Sequence, residues 1–259
     1  INFKNNKIIK YNKLSLNFET QICKKFNVKK IESIFHKGND DYIYRNLYEL
    51  FNEKKFSNIY YNLIKIVAKN LNINKYYYQK IPSFRIHRPH KKSVNFHNDN
   101  MYGHGKNVIN VWVPISKINE NNALWLVPET VSAKIFKNFK DNELSIKELN
   151  YLSEIKAYPN LVKYGEILIF KTKTIHGTKI NNSSVSRISF DFRILKKGSN
   201  SGNKPLKEFF LSNFNDFKKI NDCVLLLNKQ NFLIENLSHS DQRNLMKSYC
   251  VKNNLNPIV

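Results

Sequence analysis

Cysteine is scarce in this chain: Cys23, Cys223 and Cys250 are its three among 259 residues, far apart and without metal-ligand spacing. A disulfide framework is therefore not expected, and a reducing cytoplasm fits. Long apolar runs are also missing. None approaches the ~18 residues of a membrane span, and INFKNNKIIK at 1–10 lacks the apolar core of a signal peptide. The first residue is Ile1 rather than Met, so a longer N-terminus is expected. No internal repeat is present. Acidic residues are few, 20 Asp and Glu against 43 Lys and Arg, for a formal net charge of +23. Such a charge raises nucleic acid or a membrane surface as partners. The lysines are spread along the chain, however, and accompany abundant Asn and Ile, as an AT-rich coding sequence would produce. Nucleic acid is not expected as a partner; a general attraction to anionic ligands is.

What is present supports a sizeable core. Hydrophobic residues make up 41% and aromatics 13%, which argues against disorder. One domain over 1–259 is expected, in three parts. Residues 1–80 read as mostly helical: Phe56, Ile59, Tyr60, Leu63, Val67 and Leu71 form one apolar stripe, and Ile43, Leu47, Leu50 and Phe51 another one helix earlier. Residues 81–197 form the β core, with short β-branched and aromatic segments at 108–115, 123–127, 166–170 and 187–194. In the first of these, Ile109, Val111 and Val113 point one way and Asn110, Trp112 and Pro114 the other. Asn beside Trp on one face suggests a cavity-lining strand or, equally, a solvated one. Residues 198–204 (GSNSGNK) read as a linker. Pro205 then opens an apolar-periodic stretch with Leu206, Phe209, Phe210 and Phe217, and 198–259 is expected to be a helical extension. The fold class is mainly β with flanking helices.

The chemistry-bearing phrase is Phe96-His97-Asn98-Asp99-Asn100. On a strand, His97 and Asp99 project to the same side and can bind one ion. Alone, His-x-Asp is common by chance and a surface turn would explain it. A second phrase, GEILIF at 165–170 followed by Thr174-Ile175-His176-Gly177, places His176 at a strand mouth. A third is Arg187, eleven positions after His176. A barrel-lining Arg is costly unless it pairs with an anion, and its planar fork suits a carboxylate. Two His and one carboxylate form the facial triad of non-haem iron(II) oxygenases, whose other face stays open. A keto acid can chelate there, and Arg187 stands where its far carboxylate needs a cation.

These motifs resemble the phytanoyl-CoA dioxygenase-like branch of the iron(II)/2-oxoglutarate oxygenases. The resemblance covers about 82–195: HND at 97–99, VINVWVPI, NENNALWLVPE at 119–129, GEILIF, IHG and SRISFDFR. More narrowly, HNDNMYGHG at 97–105 is similar to a phrase of oxygenases from bacterial carbohydrate-biosynthesis clusters. The resemblance implies a double-stranded β-helix, or jelly-roll, barrel. It implies iron(II) held by His97, Asp99 and His176, and 2-oxoglutarate held by Arg187 with support from the Thr178 hydroxyl. Asn110 and Trp112 would line the cosubstrate pocket. The implied reaction uses dioxygen, converts 2-oxoglutarate to succinate and carbon dioxide, and oxidises a C–H bond of the substrate. Related halogenases leave the carboxylate position vacant for chloride, so Asp99 argues for hydroxylation or another oxidation. Pro128-Glu129-Thr130-Val131 departs from the Pro-Gly-Ser-His of many relatives and alters that turn.

The expected substrate is a small polar molecule, anionic if the nearby basic residues contact it, and carbohydrate- or nucleotide-sugar-linked. Arg85 and His87, on one strand face, and His104, just after the metal loop, are its candidate contacts. His90, Arg88 and Lys91 read as a solvated basic edge, and His36 and His239 as structural or surface residues. Two rival readings remain. A zinc or manganese cupin-like enzyme would use the same triad but needs no keto-acid clamp. A non-catalytic barrel that binds nucleic acid or anionic glycans would bind in a steeply salt-dependent way and survive loss of His97. The oligomeric state is left open.

Overall fold

The computed structural model describes residues 6–206 and 208–214. Its framework is two antiparallel sheets. In the larger, β3 (Ser83–His87), β9 (Arg187–Lys196), β4 (Ile109–Pro114) and β7 (Glu166–Lys171) lie side by side. In the smaller, β6 (Tyr158–Asn160), β5 (Leu124–Leu126) and β8 (His176–Gly177) do so, and His97 bridges to His176 at its edge. Number the eight segments along the chain as β3, the His97 segment, β4, β5, β6, β7, β8 and β9. The first then pairs with the eighth, the second with the seventh, the third with the sixth and eighth, and the fourth with the fifth and seventh. That pairing is the jelly-roll winding. Trp112, Leu168 and Phe170 from the larger sheet pack on Leu124 and Leu126 from the smaller, so the sheets face one another.

Period-two alternation divides the central strands between two environments. Ile188, Phe190, Phe192 and Ile194 of β9, and Ile109, Val111 and Val113 of β4, join the core shared with the helices. Arg187, Ser189, Asp191 and Arg193 face the barrel interior with Asn110 and Trp112. The helical layer comprises α1 (Phe18–Lys25), α2 (Asp40–Glu49) and α3 (Lys54–Asn70). Asn39 caps α2 by accepting the Tyr42 N–H at 2.9 Å, and Asp40 and Asp41 in its first turn complement the helix dipole. The two expected apolar stripes are buried. Tyr60 meets Phe190 and Phe192 edge-on at 6.2 and 5.3 Å, tying α3 to β9.

Three expectations need correction. The helical reading of 1–80 holds between α1 and α3, but β1 (Lys7–Lys10) and β2 (Tyr76–Gln79) are strands that extend the larger sheet through β7 and β9. Of the helical extension expected over 198–259, the described part contains a strand, β10 (Phe210–Ser212), paired with β2. Apolar Phe209 and Phe210 pack on Val108 and Leu195, which favours extension of the sheet. Phe217, Cys223, His239 and Cys250 lie outside the described residues. Nor is 198–204 a free linker. Asn203 N–H donates to Gly103 O at 2.7 Å and Gly105 N–H to Ser201 O at 3.0 Å, strapping this segment to the loop after Asp99. A Cβ on Gly105 would lie 2.0 Å from Asn200 O, so the approach requires glycine.

The stretch 129–163, where no motif is legible, folds as α4 (Glu129–Lys140), α5 (Ile146–Lys156) and β6. Ser145 and Glu148 cap α5 reciprocally. Helix α4 begins directly after Pro128, and Ser132 ties it to the site by donating to Val127 O and accepting the Ile175 N–H. No helix among the described residues is long and apolar enough to cross a membrane.

Candidate metal and cosubstrate site

His97, Asp99 and His176 converge inside the barrel, with their ligand atoms all within 4.8 Å of one another. Asp99 Oδ1 lies 3.5 Å from His97 Nε2 and 3.7 Å from His176 Nε2. The backbone brings the histidines together. His97 N–H donates to His176 O at 3.0 Å, and His176 N–H to His97 O at 2.8 Å. A Cβ on Gly177 would meet Phe96 Cα at 2.9 Å, so the glycine after His176 permits this approach. The reason for the His-x-Asp spacing differs from the strand expectation. His97 is a single bridge residue, whereas Asp99 opens a 3-10 turn over Asp99–Tyr102. Asn98 caps that turn by accepting the Met101 N–H, and Gly103 ends it at φ 81°.

Hydrogen bonds set which atoms face the centre. His97 Nδ1 contacts Asn95 O at 2.7 Å, and His176 Nδ1 contacts Thr174 O at 3.0 Å. A carbonyl only accepts, so each Nδ1 carries the proton and each Nε2 lone pair is free for an ion. Burial, with the neighbouring His97, pushes the His176 pKa down to about 4. Burial works to raise the Asp99 pKa, but Arg193 and the two histidines outweigh it and hold the carboxyl well below its usual value. At neutral pH the cluster is therefore an anionic carboxylate beside an unprotonated His176, the form that binds a divalent cation.

Arg187 is 1% exposed. It starts β9 opposite His87, yet its guanidinium lies 5.5 Å from the Trp112 ring centroid, and Trp112 pairs with Asp191. Arg187 Nη1 donates to Asn122 O at 3.0 Å. Among the described residues its Nε–H finds no acceptor and no carboxylate pairs with it. Burial pushes its pKa down to about 10. Asn110, 1% exposed, has no partner for either amide atom among the described residues. Trp112 Nε1–H donates to Ser189 Oγ at 3.1 Å. A buried guanidinium without an anion and a buried amide without a described partner are what an anionic chelating cosubstrate would satisfy. The donor set of two imidazoles and one carboxylate suits iron(II).

The other expected residues are placed as follows. Thr178 Oγ1 accepts the Ser93 and Val94 N–H groups at 2.9 and 3.0 Å and contacts Val94 O at 3.1 Å, so its hydroxyl is engaged by backbone. His87 is fully buried beside Arg187 with Nε2 2.9 Å from Lys91 O; burial, then the Arg187 charge, pushes its pKa down to about 4. Arg85 Nε donates to Asp191 Oδ1 at 3.0 Å. Arg88 Nε donates to Asp40 Oδ1 at 2.7 Å, joining α2 to the end of β3. His104 packs edge-on against Phe209 at 5.4 Å, and its N–H donates to Asp99 O at 3.1 Å. Burial, then the Arg193 charge, pushes the His104 pKa down to about 3. Sequence reasoning missed Arg193, whose Nε and Nη2 both lie 2.9 Å from Asp99 Oδ2.

The family model described as phytanoyl-CoA dioxygenase (PhyH) matches residues 35–189. The streptomycin biosynthesis protein StrG of Streptomyces griseus is 30% identical over 125 residues, 48% of this chain and 48% of StrG. The chain thus spans about half the length of that curated relative. HygX from Streptomyces hygroscopicus, solved with nickel and 2-oxoglutarate bound, is similar at 10% identity and a TM-score of 0.46, covering 76% of this chain and 84% of HygX. SnoK, a non-heme alpha ketoglutarate dependent carbocyclase from nogalamycin biosynthesis, is similar at 11% identity and a TM-score of 0.45, covering 80% of this chain and 91% of SnoK. The family match takes in more than half the chain, including the triad and Arg187, and the chain belongs to the phytanoyl-CoA dioxygenase family.

Proposed function

We propose that the protein is an iron(II)- and 2-oxoglutarate-dependent dioxygenase that hydroxylates or otherwise oxidises a small polar metabolite. The observation that carries this reading is the pairing of the converging His97, Asp99 and His176 side chains with the buried, anion-lacking Arg187 in one barrel interior. His97, Asp99 and His176 would hold the metal. Arg187 would pair with the far carboxylate of 2-oxoglutarate, flanked by the Trp112 face, and Asn110 would offer its free amide to the near end. When bound, iron and 2-oxoglutarate supply the oxidising power toward a C–H bond. The chain binds and orients both, and excludes water with the Trp112, Leu168 and Phe170 wall. Thr178 would act on the site indirectly, by holding the Ser93–Val94 backbone.

The substrate is carbohydrate-linked on this reading, supported by the phrase HNDNMYGHG and by the similarity to a biosynthesis protein over 48% of the chain. The net charge of +23 favours an anionic group on it. Arg85 and Arg88 already have carboxylate partners, so their charges are the less available ones. Anaerobic addition of iron(II) and 2-oxoglutarate should raise a weak visible charge-transfer band, and aerobic incubation with sugar phosphates and nucleotide sugars should yield succinate coupled to substrate oxidation. No band, and no succinate with any candidate, would sink the reading. Unchanged 2-oxoglutarate affinity in Arg187→Ala would favour a metal enzyme that does not use a keto acid.

A further inference from the structure

Two carboxylates and two guanidinium groups alternate along the interior of the larger sheet. Arg85 of β3 donates to Asp191 Oδ1 at 3.0 Å. Asp191 Oδ2 accepts from Arg193 Nη1. Arg193 then closes on Asp99 Oδ2 through Nε and Nη2, both at 2.9 Å, with Gln79 Oε1 at 3.4 Å from its Nη1. Asp99 is 1% exposed and Arg193 6%. Either charge alone would be prohibitive at that depth, so the chain stands only as a set. Its four charges cancel, so it leaves no cation free to bind an anion. Arg193 is therefore not a second keto-acid clamp, unlike Arg187.

We propose that Arg193 is the positioning residue of the metal centre: it occupies Oδ2 of Asp99 so that only Oδ1 is presented to the ion, and it is held in place by Asp191 and Arg85. This rests on the metal reading of His97, Asp99 and His176. Oδ1 is the atom that faces both imidazole Nε2 atoms, at 3.5 and 3.7 Å. Oδ2 points away into the guanidinium fork, whose planar geometry suits a carboxylate as lysine cannot. A carboxylate free at both oxygens can swing to chelate an ion side-on and fill one more position. Holding Oδ2 prevents this and keeps the open positions that a chelating cosubstrate and dioxygen need.

The test uses the full chain in wild-type, Arg193→Gln, Arg193→Lys, Asp191→Asn and Arg187→Met forms. Circular dichroism first confirms folding. Titration with cobalt(II), followed by its d–d bands, then reports affinity and coordination without turnover. Arg193→Gln should weaken cobalt binding by about 10–100-fold and change the band shape. Arg193→Lys should recover part of the affinity but not the band shape, and Asp191→Asn should fall between Arg193→Lys and wild type. Arg187→Met should leave cobalt binding and band shape as in wild type. A folded Arg193→Gln protein with wild-type affinity and bands overturns the proposal. If that variant does not fold, wild-type bands and affinity in Asp191→Asn and Arg193→Lys overturn it instead. A wild-type chain that binds cobalt but shows no 2-oxoglutarate-dependent band with iron(II) defeats the proposed function and leaves the Arg193 comparison intact. A wild-type chain that binds no cobalt defeats both.

Discussion

Replacing Arg187 with Met should strengthen the fold while it cripples cosubstrate binding, and this opposition of signs separates a ligand-binding arginine from a structural one. Burial lowers the Arg187 pKa from 12.5 to about 10. At about 1.4 kcal/mol per unit, the uncompensated charge costs the apo fold about 3 kcal/mol. The sign follows from linkage. The folded pKa lies below the unfolded one, so the cost is full at neutral pH and fades only as pH rises from about 10 toward 12.5. Methionine keeps most of the volume beside Trp112 and removes the charge. It also gives up the hydrogen bond to Asn122 O, which returns about 1 kcal/mol or somewhat more. Thermal unfolding of the apo proteins should therefore place the variant between equal to wild type and about 2 kcal/mol above it. Loss of one partner of a buried charge pair costs about 2–5 kcal/mol, so 2-oxoglutarate affinity, read anaerobically from the charge-transfer band of the iron-loaded protein, should fall by at least about 30-fold. A variant destabilised by more than about 2 kcal/mol with unchanged 2-oxoglutarate affinity would refute the reasoning and make Arg187 a structural residue.

Three further outcomes follow from the same geometry. Thr178→Val strands two backbone N–H groups that now bond Oγ1, so stability should drop by about 2–4 kcal/mol in denaturant titration. The 2-oxoglutarate affinity of the folded fraction should change little; a large affinity loss with no stability loss would instead make the hydroxyl a carboxylate contact. His87, with a folded pKa of about 4 against 6.5, is neutral in the fold, while the unfolded chain takes up its proton. Apo stability should thus fall as pH drops from 6.5 toward 4, by up to about 3 kcal/mol from this group. His87→Gln should flatten that part of the stability–pH curve, and an unchanged slope would count against the assignment. Gly177→Ala places a methyl 2.9 Å from Phe96 Cα, so the His97–His176 bridge must open at a cost of about 1–3 kcal/mol, and weaker cobalt(II) binding should accompany it.

Periodicity made the helical layer and the central strands legible, because one face of each is apolar and the other is not. The α3 stripe and the alternation of VINVWVPI are of this kind. Legibility failed where a short segment takes its conformation from a distant partner. Tyr76–Gln79 and Phe210–Ser212 carry no alternation strong enough to outweigh the helical pattern beside them, and they become strands because β9 and β2 offer open edges. The GSNSGNK segment reads as a linker because its composition is that of one; its Gly202 instead serves a close approach to the metal loop, which only the tertiary contact shows. Helix α5 was readable in principle from Ser145 and Glu148, three apart before an apolar run.

The site divides along a similar line. His97, Asp99, His176 and Arg187 were legible together because the proposed iron and keto-acid chemistry would constrain their types and spacing jointly. Arg193 was not, although the signal lay in RISFDFRI. Arg187, Ser189, Asp191 and Arg193 fall on one face by period two, opposite Ile188, Phe190, Phe192 and Ile194. Three charged residues on the inward face of a strand whose other face is wholly apolar cannot be a solvated edge, because the strand has neighbours on both sides. They must neutralise one another or hold something. Arg193 and Asp191 do the first together with Arg85 of β3 and with Asp99, which comes from a loop 94 residues before Arg193. Arg187, on the same face but out of reach of any described carboxylate, is left to do the second.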